Sequence, residues 1–218
     1  MRIAAVAVLA CVLATAASAG TRDPREPRQL HTAADTTQAK SIALALSDLP
    51  AGWVKAAPPK PAPPCTSEPD ESNLVQTARI DPTFLWRDHI TELGTEVDTF
   101  RTVSQAKRDW RLSTLAVVRR CLFQAIRRDL KDVRIKVLSA QRLPSPRLGE
   151  RSVHYRLVFE LRGKSKVLPV VVEMIGVGVG RTSVVLHALS PGGPLPAAAL
   201  RALSAKVAKR LVDASGGI

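Results

Sequence analysis

Aromatic side chains are scarce, at 4% of the chain with a single Tyr. A core must therefore come from Val, Leu, Ile and Ala. The hydrophobic content of 45% is enough to build one and excludes a disordered tail. Acids are also few, 19 against 32 Lys and Arg. The net charge of +13 is scattered along the chain, not gathered in one stripe, which argues against a nucleic-acid partner. No apolar run reaches the length of about 20 residues that a membrane span needs. Residues 167–179 come closest, but Glu173 and glycines interrupt them, so they read as strands. There is no G-x-S-x-G nucleophile turn, and no other Ser or Cys sits in a recognisable local motif. Cofactor fingerprints are missing too. Gly176, Gly178 and Gly180 give G-x-G-x-G followed by strand residues, not the G-x-G-x-x-G that opens a helix, so 176–181 reads as a hairpin turn. No two of His31, His89, His154 and His187 share a ligand spacing, so neither a metal nor another cofactor is expected.

What is present begins with an export signal. Arg2 supplies a charge, residues 3–13 an apolar stretch, and Ala17-Ser18-Ala19 a small-residue cleavage pattern before Gly20. The expected organisation is a signal over 1–19, a disordered segment over 20–35 and one domain over 36–214, acting outside the cytoplasm. A lipoprotein signal ending at Cys11 is the alternative; it would shorten the apolar stretch and anchor the chain by lipid. A basic exported protein meets anionic lipids, teichoic-type polymers or acidic glycans before it meets DNA. Removing the signal leaves Cys65 and Cys121, which in an oxidising compartment are expected to pair as a structural bridge. Two separate buried thiols are the alternative.

The periodicity predicts a helix from a cap at Thr36 or Thr37 to Leu49, with Ala39, Ile42, Ala43 and Leu46 on one face. Trp53 follows as a core anchor. Residues 56–64 form a proline-rich connection, and 66–73 a polar loop. A strand is expected over 93–101, then one long helix over 104–130. That helix has an apolar stripe through Trp110, Thr114, Val118, Cys121 and Leu122, and a basic outer face of Arg119, Arg120, Arg127 and Arg128. Strands follow over 133–143, 151–162 and 165–175, with Gly163-Lys164 as a two-residue hairpin turn. That turn sets His154 opposite Glu173, Arg156 opposite Val171 and Glu160 opposite Val167. A strand over 182–189, of open register, and a helix carrying Leu200, Leu203, Val207 and Leu211 complete the chain. The fold class is α+β: an antiparallel sheet of about four to six strands packed against a long central helix, with N- and C-terminal helices.

Three constellations deserve weighing. His154 with Glu173 is either half of an acid–base site or a satisfied cross-strand pair. Arg156 and Glu160 share its sheet face and are further ligand candidates. Arg119, Arg120, Arg127 and Arg128 could contact an anionic envelope surface, or simply form a solvated helix face. His89, beside Asp88, reads as plain surface.

Taken in order, several local patterns resemble one family. Leu46-Ser47-Asp48-Leu49-Pro50-Ala51-Gly52-Trp53 precedes Cys65. A Val97-x-x-Phe100 strand leads to an Ala106-bearing helix with Cys121 inside it. Pro146-x-x-Gly149 enters the sheet, and Val179-Gly180-Arg181 precedes the last helix. This order resembles the extracellular sensor domains of the PknH-like group, found on bacterial receptor kinases and as free exported or lipid-anchored proteins. The resemblance spans residues 40–211. It implies an α+β module with a cleft between sheet and helices that binds an envelope ligand, and it implies no catalytic residues. Members of the group often carry a second disulfide, for which this chain lacks cysteines. It also has no kinase domain. The expected function is thus a non-enzymatic extracytoplasmic ligand-binding domain, its ligand a lipid, glycan or other small molecule. The alternatives are an envelope interaction module using the basic helix face, and an exported hydrolase with an unrecognised site.

Overall fold

The computed structural model describes residues 23–57, 65–66, 68–88, 90–130, 133–163 and 166–216. The segment expected to be an export signal, Cys11 and His89 lie outside them. In chain order the elements are β1 (Arg28–Gln29), α1 (Ala33–Ile42), a 3-10 turn (Leu46–Asp48), β2 (Val54–Lys55), β3 (Val75–Ile80), β4 (Thr83–Leu85), β5 (Glu92–Phe100), α2 (Val103–Leu112), α3 (Leu115–Asp129), β6 (Arg134–Leu143), β7 (Arg151–Arg162), β8 (Val167–Val179), β9 (Thr182–Pro191) and α4 (Ala197–Ala214).

All strands join one nine-stranded sheet of order β1-β3-β5-β9-β8-β7-β6, with β4 beside β5 and β2 beside β4. The fold is α+β, but the sheet is larger than four to six strands and it is mixed, because β1 runs parallel to β3. The added strands are short pieces between residues 28 and 85. Residues 23–35, expected to be disordered, hold β1 and the start of α1. Thr32 caps that helix by accepting from the Asp35 amide, four residues ahead of the expected cap at Thr36. Helix α1 stops at Ile42, where Leu44 N–H donates to Thr95 Oγ1 on β5.

Strand alternation gives the sheet two buried faces. On one, Val97, Ile175, Val177, Val184, Leu186 and Ala188 pack against Ala39 and Ile42 of α1 and Leu200, Val207 and Leu211 of α4. On the other, Leu157, Phe159, Val170, Val172 and Leu189 pack against Leu122, Phe123 and Ile126 of α3, while Ala106 of α2 sits on Leu74 and Phe100. Among the described residues no helix is long and apolar enough to cross a membrane.

Two sequence expectations change here. The single helix over 104–130 is two helices, because Thr114, placed on its apolar stripe, instead caps α3 by accepting from Val117 N–H. The β7–β8 hairpin is shifted by two residues. Arg162 pairs with Val167, and Gly163 N–H donates to Lys166 C=O across a longer loop than Gly163-Lys164 alone. Since side chains repeat every two residues, the slip preserves which face each one occupies and changes only its partner. Glu173 therefore faces Arg156, and His154 faces Ile175. The register of β9, open from the sequence, is fixed by the tight turn at Gly180 (φ +52°), which pairs Val179 with Thr182. The sheet thus runs on through Gly176 and Gly178, and only Gly180-Arg181 turns.

Cys65 and Cys121 form a disulfide with a Cα–Cα distance of 5.3 Å, pinning the arm before β3 onto α3. Beside it, the Gln124 side chain accepts from the Thr66 amide and hydroxyl. Arg181 forks onto Asp35 in the first turn of α1. Asp48 takes Lys206 at 2.7 Å and Arg210 at 2.8 Å from α4.

Candidate functional site

On β5 the alternation places Glu92, Gly94, Glu96 and Asp98 on the face beneath α2, with Leu93 and Val97 in the opposite core. Gly94 has no side chain, and its cross-strand partner His187 lies over it. A Cβ at Gly94 would collide with the His187 ring and stand 2.7 Å from the Pro82 carbonyl oxygen. The imidazole Nε2 lies 3.7 Å from Glu92 Oε1, too far for a hydrogen bond. Glu92 is 0% and His187 3% exposed, yet both carboxylate oxygens and Nε2 lack a hydrogen-bond partner. Asp81 Oδ1 and Thr83 Oγ1, at the β3–β4 end of the same region, are likewise buried and unpartnered.

Around this floor stand further charges. Arg79, opposite Asp98 on β3, pairs with Glu96 at 2.8 Å, and Gln76 Nε2 donates to Asp98 Oδ1 at 2.6 Å. The Arg79 and Glu96 side chains keep 20% and 26% of their surface exposed, so solvent reaches one side of this acidic cluster, the recess beneath α2. Asp109 of α2 and Glu71 of the preceding loop add to its field. Carboxyl groups outnumber guanidiniums in this recess, against the strongly basic balance of the whole chain.

Desolvation sets the protonation here. Burial, with a smaller push from Asp81, holds the Glu92 carboxyl well above its usual range. Burial pushes His187 down to about 4 against the opposing pull of Glu96. Burial thus pushes both partners toward their neutral forms and away from an ion pair. Burial also raises Asp81 and Asp109 to about 7 and Glu71 to about 8, with neighbouring carboxylates adding to each. Burial opposes ionisation of Glu96, but Arg79, a hydrogen bond from Asp98 and the field of His187 together outweigh it and hold that carboxyl below its ordinary value. Its neighbour Asp98 is kept well above its own, chiefly by burial.

The glycine run of β8 belongs to the wall of this site. Gly176 and Gly178 lie on the α2 side, Val177 and Val179 in the opposite core. A Cβ at Gly176 would meet Trp110 at 3.0 Å, and one at Gly178 would meet Arg151 Nε at 2.6 Å. The G-x-G spacing thus makes room for the Trp110 ring of α2 and the guanidinium that lies 5.8 Å from its centroid.

The structure brings three of the candidates named from the sequence together elsewhere. On the face opposite the recess, Glu173 Oε1 accepts from Arg156 Nε at 2.9 Å and Nη2 at 2.7 Å. His154 Nε2 reaches the same oxygen at 3.3 Å, diagonally across the strands. Burial favours the neutral acid, but His154 and Arg156 outweigh it and hold Glu173 below its usual value. Glu160 is engaged by Arg162 at 2.8 and 2.5 Å. Arg119, Arg120 and Arg127 project from α3 into solvent, and Arg128 is half-buried.

Sequence reasoning missed the recess. Its one local signal was the period-two run Glu92-x-Gly94-x-Glu96-x-Asp98 on a strand whose other face, Leu93, Thr95, Val97 and Thr99, carries no charge. His187 lay on the strand whose register was open. The chain matches no protein-family model, and no curated protein matches it.

Proposed function

We propose that this protein is a non-enzymatic extracytoplasmic ligand-binding domain, the role implied by its resemblance to the PknH-like sensors, and that its ligand enters the acidic recess under α2. The observation that carries this reading is Glu92, fully buried with two unpartnered carboxyl oxygens beside an unpartnered His187. A buried acceptor without a donor costs about 1–3 kcal/mol, and a binding site is where such a cost is recovered. Carboxyls outnumber guanidiniums around this floor and can ionise beside a cation, which favours a ligand with an amino group as the preferred contact. Perturbed carboxyls gathered around one recess support a functional site over a structural one.

Calorimetry with glucosamine and glucose as probes, in buffers of different ionisation enthalpy, tests this. Glucosamine is expected to bind more tightly and to expel protons, because a cation pulls the neutral carboxyls toward ionisation. Glu92→Gln should weaken it by about tenfold, the value of one charge-assisted contact. Equal binding of both sugars, or no effect of Glu92→Gln, would overturn the reading.

One observation favours a hydrolase as a second reading: Glu92 is raised above its ordinary value while Glu96 is lowered, the direction of split that marks an acid and a base. Four residues of strand, however, separate their Cα atoms by roughly 13 Å at about 3.3 Å per residue. That is wide for paired carboxyls of glycoside hydrolysis, which stand roughly 5–9.5 Å apart. Turnover of fluorogenic glycosides that is lost in Glu92→Gln would reverse this ranking.

A further inference from the structure

Helix α3 buries Leu122, Phe123 and Ile126 on the sheet but leaves a gap toward the edge strand β6. The gap is an open cavity of about 520 Å³ lined by Arg119, Arg120, Phe123, Gln124, Arg127 and Val137. A second cavity of about 240 Å³, lined by Leu115, Ala116, Arg119 and Ala140, shares Arg119 with it, so one groove follows the helix. Val137 points into the groove from β6, opposite Phe159, and remains 42% exposed. Its neighbour Leu138, at a bulge in that strand, is 48% exposed. An edge strand bearing two exposed apolar side chains beside a helix is an uncovered surface that ordinary edge protection would remove.

Charge tells what covers it. Arg119, Arg120 and Arg127 rim an apolar floor, and among the described residues no carboxylate lines either cavity. The helix is pinned by the Cys65–Cys121 bridge and by Thr66 against Gln124, which itself lines the cavity, so this wall of the groove is preformed. A rim of guanidiniums over an apolar trough fits an amphiphile with an anionic head and a hydrocarbon tail. The volume falls within the range of about 300–1,000 Å³ typical of small-ligand sites.

We infer that the α3–β6 groove is a lipid site: it takes one acyl chain of an anionic membrane lipid on Phe123, Val137 and Ala140, with the headgroup phosphate gripped by Arg119, Arg120 and Arg127. This site is separate from the acidic recess and does not depend on it. It places the protein on an anionic leaflet with its recess, on the α2 half of the same sheet face, free for a second ligand.

The test is cosedimentation of the purified, oxidised protein with vesicles of phosphatidylglycerol diluted into phosphatidylcholine, together with native mass spectrometry in lysophosphatidylglycerol below its micellar concentration. Binding to the phosphatidylglycerol vesicles and a one-to-one lysolipid complex are expected. Arg119→Gln with Arg120→Gln should weaken both by about tenfold, and Val137→Ser with Leu138→Ser, which changes no charge, by about fivefold. The charge-matched control Lys40→Gln with Arg201→Gln, on exposed positions of α1 and α4, should change neither by more than about twofold. Near-native circular dichroism spectra and melting temperatures for all three pairs show that folding is not the cause. Loss of vesicle binding equal in the control pair, or binding indifferent to Val137→Ser with Leu138→Ser, would mean attraction by net charge alone and overturn the groove. Displacement of the lysolipid by inorganic phosphate at equal concentration would overturn the lipid in favour of a bare anion site.

Discussion

Two glutamate–histidine pairs lie on opposite faces of one sheet, and their surroundings differ more than their composition. Glu173 and His154 stand where Arg156 arrives directly across the strand, and Glu173 is held ionised. Among the described residues no Arg or Lys pairs with Glu92 or His187, and burial pushes both toward their neutral forms. The first pair sits beside a partly exposed guanidinium; the second sits at 0% and 3% exposure under a glycine gap. The comparison teaches that residue type does not make a site. A carboxyl that the fold has already supplied with donors holds strands together, while one that the fold has buried and left without donors is open to a ligand.

The sharpest way to separate the two regions is to cut the bridge that holds the arm leading to Glu71. Cys65→Ser with Cys121→Ser opens a 56-residue link, worth about 4 kcal/mol of unfolding free energy in the chain-entropy model. Urea unfolding should show that loss. Native-state hydrogen exchange should rise over residues 68–74 and stay unchanged across the β7–β8 pairing that carries Glu173.

A smaller break falls inside the recess itself. Gly94→Ala must displace the His187 ring and press on the Pro82 carbonyl, at a cost of about 2–3 kcal/mol. The same substitution should weaken glucosamine, whereas Arg156→Met, which leaves Glu173 underpaired, should cost about 1–2 kcal/mol and leave glucosamine affinity unchanged. Chemical denaturation and calorimetry on both variants check this.

The two glutamates also differ in sign with pH. Glu173 is depressed in the folded state, so it contributes stability above its ordinary value of 4.5 that disappears as pH falls below it. Glu92 is raised, so its contribution is fullest below 4.5 and is lost as pH rises. Asp81 and Asp109 at about 7 and Glu71 at about 8 act in the same direction as Glu92. His187 opposes them only between about 4 and 6.5. Stability should therefore decline from pH 6.5 to 8. Glu92→Gln should flatten that decline and raise stability at pH 8 by about 1 kcal/mol, while Glu173→Gln should flatten only the acid side. Melting temperatures across pH read both.

The same contrast explains what was legible in the sequence. Long strands with clean alternation, such as 151–162, and the apolar spacing of Leu200, Val207 and Leu211 are local signals, and they placed β7 and α4. The face of Glu173 was readable because a two-residue slip in the hairpin leaves faces unchanged. Its true partner was not, because Gly163-Lys164 resembles a complete turn while the loop runs on to Lys166. Thr114 hid the α2–α3 break, since a threonine fits an apolar stripe as readily as a cap. The recess was unreadable as a whole. Glu92, His187, Arg79 and Asp109 come from four elements, and only the pairing of β9 with β5 and β5 with β3 brings them together.

The most direct measurement is a carbon-13 NMR titration of the Glu92 and Glu173 side-chain carboxyls in one oxidised sample, with and without glucosamine. The account predicts that Glu173 titrates below 4.5 and Glu92 well above it, and that glucosamine draws Glu92 down while Glu173 stays in place. Both carboxyls titrating together in the ordinary range, or a Glu92 resonance indifferent to the amine, would contradict it.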